Sequence, residues 1–99
     1  MNIDTIVTFG KNYELVETDD EIICIPVISE NGCQKYAHFI SNSASKSVIR
    51  YIVENGKVTV RNIVKEITSL YGVSENIILR DLDLFLSGLA DKGVVFIDD

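Results

Sequence analysis

The sequence predicts an α+β fold, winged helix-turn-helix-like, with an N-terminal three-stranded antiparallel sheet followed by three helices and a short C-terminal strand. Two observations predict it. The first half carries β-branched segments broken by polar turns, among them an Asn31-Gly32 dipeptide between apolar runs. The second half carries apolar residues at helical spacing, punctuated by capping residues and glycines. A length of 99 residues is room for one domain with one core, spanning 1–99.

The elements follow in order. Tyr13 to Glu17 alternates polar and apolar residues as a half-buried strand does, and Thr18 to Glu21 is a polar turn. Ile22 to Ile28 is apolar on both faces and reads as a strand buried on both sides, with Pro26 requiring an edge or a bulge because it offers no N–H to a ladder. A type I′ turn at Asn31-Gly32 leads into a third strand, Lys35 to Ile40, and places Cys24 opposite Phe39. That register separates Cys24 from Cys33 and conflicts with a disulfide between them.

Asn42 or Ser43 caps the first helix, whose stripe is Val48, Ile49, Ile52 and Val53 and whose end is Asn55-Gly56. Thr59 caps the second, with Val60, Ile63, Val64, Ile67 and Leu70-Tyr71 on its apolar face and Gly72 at its end. Ser74 caps the third. Ile78, Leu82, Phe85 and Leu89 form its core stripe, and Leu79, Leu86 and Ala90, with Asp83 among them, form a second stripe beside it. Gly93 closes this helix and Val94 to Ile97 makes the terminal strand.

Composition narrows the function. Hydrophobic residues make up 46% and charged residues 24%, with a net charge of −6. No apolar run reaches the roughly 18–20 residues that cross a bilayer, and Met1 to Thr8 lacks the basic start of a signal peptide, so a cytoplasmic protein with no membrane partner is expected. Nucleic acid is disfavoured as a partner, since phosphates are neutralised by Lys and Arg and no basic run is present. The two cysteines have no CxxC spacing, so no metal is expected, and Cys24 reads as a small hydrophobe. His38, the only histidine, has no evident Ser, Cys or Asp partners for a catalytic set, and no phosphate-cradling glycine loop exists, so neither an enzyme nor a cofactor is expected.

The order Asn42 to Ile52, then Val58-Thr59-Val60 with Ile63-Val64, then Tyr71-Gly72-Val73, then Asp81-Leu82-Asp83-Leu84-Phe85-Leu86 with Leu89, then Gly93-Val94-Val95, resembles the PqqD family, the RiPP recognition elements. The resemblance spans roughly residues 9–98; Ser41 stands before Asn42 where many members carry a leucine. It implies a peptide chaperone that binds the leader segment of a ribosomally made precursor. Such a chaperone presents the core segment to a modifying enzyme, often a radical S-adenosylmethionine (radical SAM) enzyme, as in pyrroloquinoline quinone biosynthesis.

Elementary physics supplies a mechanism for such binding. The last strand of a sheet offers unpaired N–H and C=O groups that an extended peptide can satisfy by strand addition. The expected peptide-binding residues are therefore Lys35, Tyr36, Ala37, His38, Phe39 and Ile40 on the strand, and Leu79, Asp83, Leu86 and Ala90 on the third helix. Leu79 and Leu86 read more readily as core than as groove, and Tyr36 equally as a cover for the sheet. The same edge would allow a homodimer in competition with peptide. A winged-helix DNA-binding regulator and a protein–protein interaction subunit are the alternatives; the acidic third helix, with Asp81, Asp83 and Asp91 around Arg80, argues against the regulator.

Overall fold

The computed structural model describes residues 2–11, 13–27 and 37–98. Along the chain lie β1 (Ile6–Phe9), β2 (Tyr13–Glu17), β3 (Ile22–Pro26), β4 (His38–Ile40), α1 (Ser43–Asn55), β5 (Lys57–Thr59), α2 (Val60–Tyr71), α3 (Glu75–Asp91) and β6 (Val95–Asp98). The expected N-terminal antiparallel sheet is β2-β3-β4, and the three helices and C-terminal strand follow as predicted. A second antiparallel sheet, β5-β1-β6, was not anticipated. Its strands are short and their partners distant: Val7 pairs with Val58 on one side and Ile97 on the other.

Backbone contacts weld this second sheet to the helices. Thr5 O accepts from Val60 N, and Ile3 O from Arg61 N, each at 2.9 Å. Gly10 N donates to Val94 O at 2.7 Å. A Cβ at Gly10 would sit 2.5 Å from Gly93 O and 2.9 Å from Val94 O, so only glycine permits this approach of two backbones.

The helices form where their caps and stripes predict. Asn42 Oδ1 accepts from Ser45 N at 3.0 Å, and Thr59 Oγ1 from Asn62 N at 3.2 Å, each satisfying an N–H of a first turn. Ser74 occupies the corresponding position of α3, but its side chain makes no capping bond. Gly72, with φ 66°, ends α2 in the left-handed conformation and returns its N–H to Thr68 O. Ile49 and Ile52 of α1, Ile63 of α2 and Leu86 of α3 are fully buried, together with Ile22, Cys24, Val7 and Val94 from the strands. Cys24 is a free thiol, and burial pushes its pKa up to about 11, which keeps it protonated and inert near neutral pH.

Two expectations about the β2-β3-β4 sheet are corrected. First, β3 is buried on one face only: Ile22 and Cys24 point inward, while Ile25 on the other face is exposed. Pro26 does not bulge the strand. It is the last residue of β3, opposite Tyr13, and among the described residues β4 pairs only as far as Cys24, so Pro26 is paired on one side alone, as at an edge.

Second, the β3–β4 register is one residue from that expected: Cys24 pairs with His38, and Ile23 with Phe39. A plain two-residue turn joins positions separated by an even number of residues, and Cys24 and His38 are separated by an odd number, so that turn cannot produce this register without a bulge. The Asn31-Gly32 turn and Cys33 lie outside the described residues. One residue of slip turns every side chain over: His38 and Ile40 share the inner face with Cys24 and Ile22, and Phe39 faces outward.

Candidate functional site

The predicted strand ends the sheet as expected. β4 is hydrogen-bonded to β3 alone, and its other flank has no partner strand among the described residues. Of its expected binding residues, Lys35 and Tyr36 lie outside the described residues. Ala37 and His38 are half-buried, Phe39 is exposed and Ile40 is buried.

His38 is held by its inward position. Its ring lies 6.0 Å from that of Tyr13, tilted by 42°, and Tyr13 Oη donates to Lys92 O at 3.1 Å. Burial first, and then the positive charge of Lys92, lower the His38 pKa from its ordinary value of 6.5. The cluster fastens the edge strand to the C-terminal end of α3 and favours a neutral imidazole.

Beside the residues that follow β4 lies an open hollow of about 550 Å³. Its walls are the first turn of α1 at Asn42 to Ser45, Ile67 and Tyr71 of α2, and Ile77, Asp81 and Phe85 of α3. Its floor is apolar, with Val48 and Leu82, and its rim is polar. Tyr71 Oη donates to Ser43 O at 3.1 Å and lies 2.8 Å from Ser47 Oγ, which pins the end of α2 to the start of α1 and keeps the hollow's shape. An apolar cleft with a few convergent polar groups is the common form of a binding site.

The structure redistributes the expected helix residues. Leu86 is fully buried and belongs to the core, and Ala90 is half-buried. Leu79 and Asp83 lie on the opposite flank of α3, in a separate shallow hollow with Asn2, Ile3, Arg80 and Leu84. The reason is helical geometry. A step of about 100° per residue puts 77, 81 and 85 on one side of the buried 78–82–86–89 stripe and 79 and 83 on the other. The face that lines the hollow is therefore Ile77, Asp81 and Phe85. Its signal in the sequence was Val73 and Ile77, apolar residues at the α2–α3 corner that the core stripe leaves out and that the structure leaves exposed.

Among the described residues, no group of three or more His, Cys, Asp or Glu side chains is placed to share a metal ion. Likewise, no helix among them is long and apolar enough to cross a membrane.

No protein-family model matches the chain, and no curated protein matches it. Among solved structures it is similar to TbiB1 in complex with the TbiA(beta) leader peptide, with a TM-score of 0.74 at 20% identity, over 89% of this chain and 93% of that one. The chain thus shares the fold of TbiB1, a protein solved with a leader peptide.

Proposed function

We propose that this chain is a peptide chaperone that binds the leader segment of a ribosomally made precursor by strand addition to β4 and presents the precursor to a modifying enzyme. The observation that supports the reading is the flank of β4 that pairs with no strand among the described residues, together with an apolar hollow bounded by α1, α2 and α3. Backbone pairing supplies affinity that depends little on sequence, and the hollow selects side chains at alternate leader positions. The fold shared with TbiB1 supports the same reading. Lys35 and Tyr36 enter the proposal from the sequence alone.

In this role the chain binds and orients a peptide, and the catalysis belongs to its partner, a radical SAM enzyme in this proposal. The product is pyrroloquinoline quinone or another modified peptide, and the setting is the cytoplasm, where precursors are synthesised.

Calorimetric titration with the leader half of the precursor encoded beside the gene tests the reading. Saturable one-to-one binding is expected, with amide shift changes at His38–Ile40 and at Ile77, Asp81 and Phe85. N-methylation of alternate leader amides is expected to weaken binding where it removes a ladder bond. Shift changes confined to residues 2–16, or no binding, would overturn the proposal.

A further inference from the structure

The β2-β3-β4 sheet has a second feature that peptide capture does not use. Strand alternation sends Tyr13, Leu15, Ile22, Cys24, His38 and Ile40 inward. It sends Val16, Ile23 and Phe39 outward, in one cross-strand row, with Ile25 next to them opposite Glu14. Val16 is 40% exposed, Ile25 38%, Val27 47% and Phe39 64%. A solvated sheet face ordinarily carries polar residues, and this one is apolar across three strands.

We propose that this outer face, extended by the bound leader, is the docking surface for the modifying enzyme; the inference rests on the peptide-binding reading above. An added strand beside β4 would alternate in the same way. Half of its side chains would face the α3 hollow, and the other half would lie beside Phe39 and widen the apolar row by one strand.

Area and charge select the occupant. Strands of five, five and three residues about 4.8 Å apart span roughly 200 Å², well below the roughly 800 Å² per partner of a stable interface. The bare face therefore supports only transient association, and the leader strand adds to it. A second copy is disfavoured, because the chain carries a net charge of −6 and the face is bordered by Glu14 and by Asp19, Asp20 and Glu21 of the β2–β3 turn. A partner with an apolar patch framed by Lys and Arg satisfies both features. The domain would then hold its enzyme firmly only when loaded, and let go after the peptide has been delivered.

The test uses the full chain, the leader peptide and the purified modifying enzyme from the same gene cluster. Val16→Glu and Ile25→Glu place a charge on the exposed face, away from the β4 flank. Both variants are expected to keep the wild-type melting temperature and leader affinity, and to bind the enzyme about tenfold more weakly or worse, as hot-spot losses do. Enzyme binding by the wild type is expected to be tighter with leader than without, and to weaken with salt. Undiminished enzyme binding by both variants overturns the proposal, as does equal binding with and without leader. A wild-type dimer in light scattering that Val16→Glu dissociates assigns the face to a second copy and overturns it too. Loss of leader binding by the wild type is a different result, which removes the underlying reading instead.

Discussion

The two sheets are assembled in opposite ways. The β5-β1-β6 sheet gathers strands from the beginning, middle and end of the chain, and its central strand is hydrogen-bonded on both sides. The β2-β3-β4 sheet is a local meander, whose two outer strands each pair with β3 alone among the described residues and whose outer face is apolar and in water. The first kind of sheet closes a fold, since each of its pairings spans a long loop of chain. The second kind leaves backbone and surface available. The contacts that hold the fold and the edge proposed for capture are thus separate, and substitutions should divide accordingly.

The largest effect is expected in the core that joins the helices to the strands. Leu86→Ala removes a fully buried side chain and should cost about 2–5 kcal/mol in denaturant unfolding. If Leu86 instead formed a groove wall, leader affinity would fall with stability intact. Gly10→Ala strikes the seam between β1 and the α3–β6 connection, where the new Cβ meets two backbone carbonyls. Its cost should be about 1–3 kcal/mol, seen as a lowered melting temperature, with the leader affinity of the folded fraction unchanged. A fall in affinity at constant stability would erase the division between the two sheets.

A smaller effect sharpens the comparison on a single helix. Ile77 and Asp83 are both exposed residues of α3, one lining the hollow bounded by α1 and α2 and the other on the far flank. Ile77→Ala should weaken leader binding by about 1 kcal/mol, roughly fivefold, from lost apolar burial. Asp83→Ala should leave it unchanged. Equal losses at both positions would move the site to the Leu79–Asp83 flank.

These contrasts also show which parts of the molecule were readable in advance. The boundaries of α2 follow directly from Thr59 and Gly72, because caps and left-handed glycines are local chemistry. Tyr13–Glu17 was readable for the same reason, its alternation being contained in five residues. β1 and β5 were not, since Ile6–Phe9 and Lys57–Thr59 are strands only because each finds the other across the fold. The open strand was legible as the last of a meander. Which face of α3 lines the apolar hollow was not, because a stripe's spacing gives its rotation relative to the core but not where a distant element leaves a gap.

The smallest effect concerns the tether of the open strand itself. The His38 pKa lies below 6.5 in the folded chain, through burial and then Lys92, and returns toward 6.5 on unfolding. Between those two values the unfolded chain binds more protons than the folded one, so stability rises with pH through that window and falls on acidification through it. Near neutral pH both states are largely unprotonated at this site, and below the folded value both are charged, so the slope is confined to mildly acidic solution. Tyr13 packs against the ring and Lys92 bears on its charge, so a protonated His38 would loosen β4 from the end of α3. His38→Gln should flatten the slope of unfolding free energy against pH in this range while leaving stability at neutral pH little changed. The same slope in variant and wild type would mean that the ring titrates without feeling the fold, and that the edge strand is held by its pairing with β3 alone.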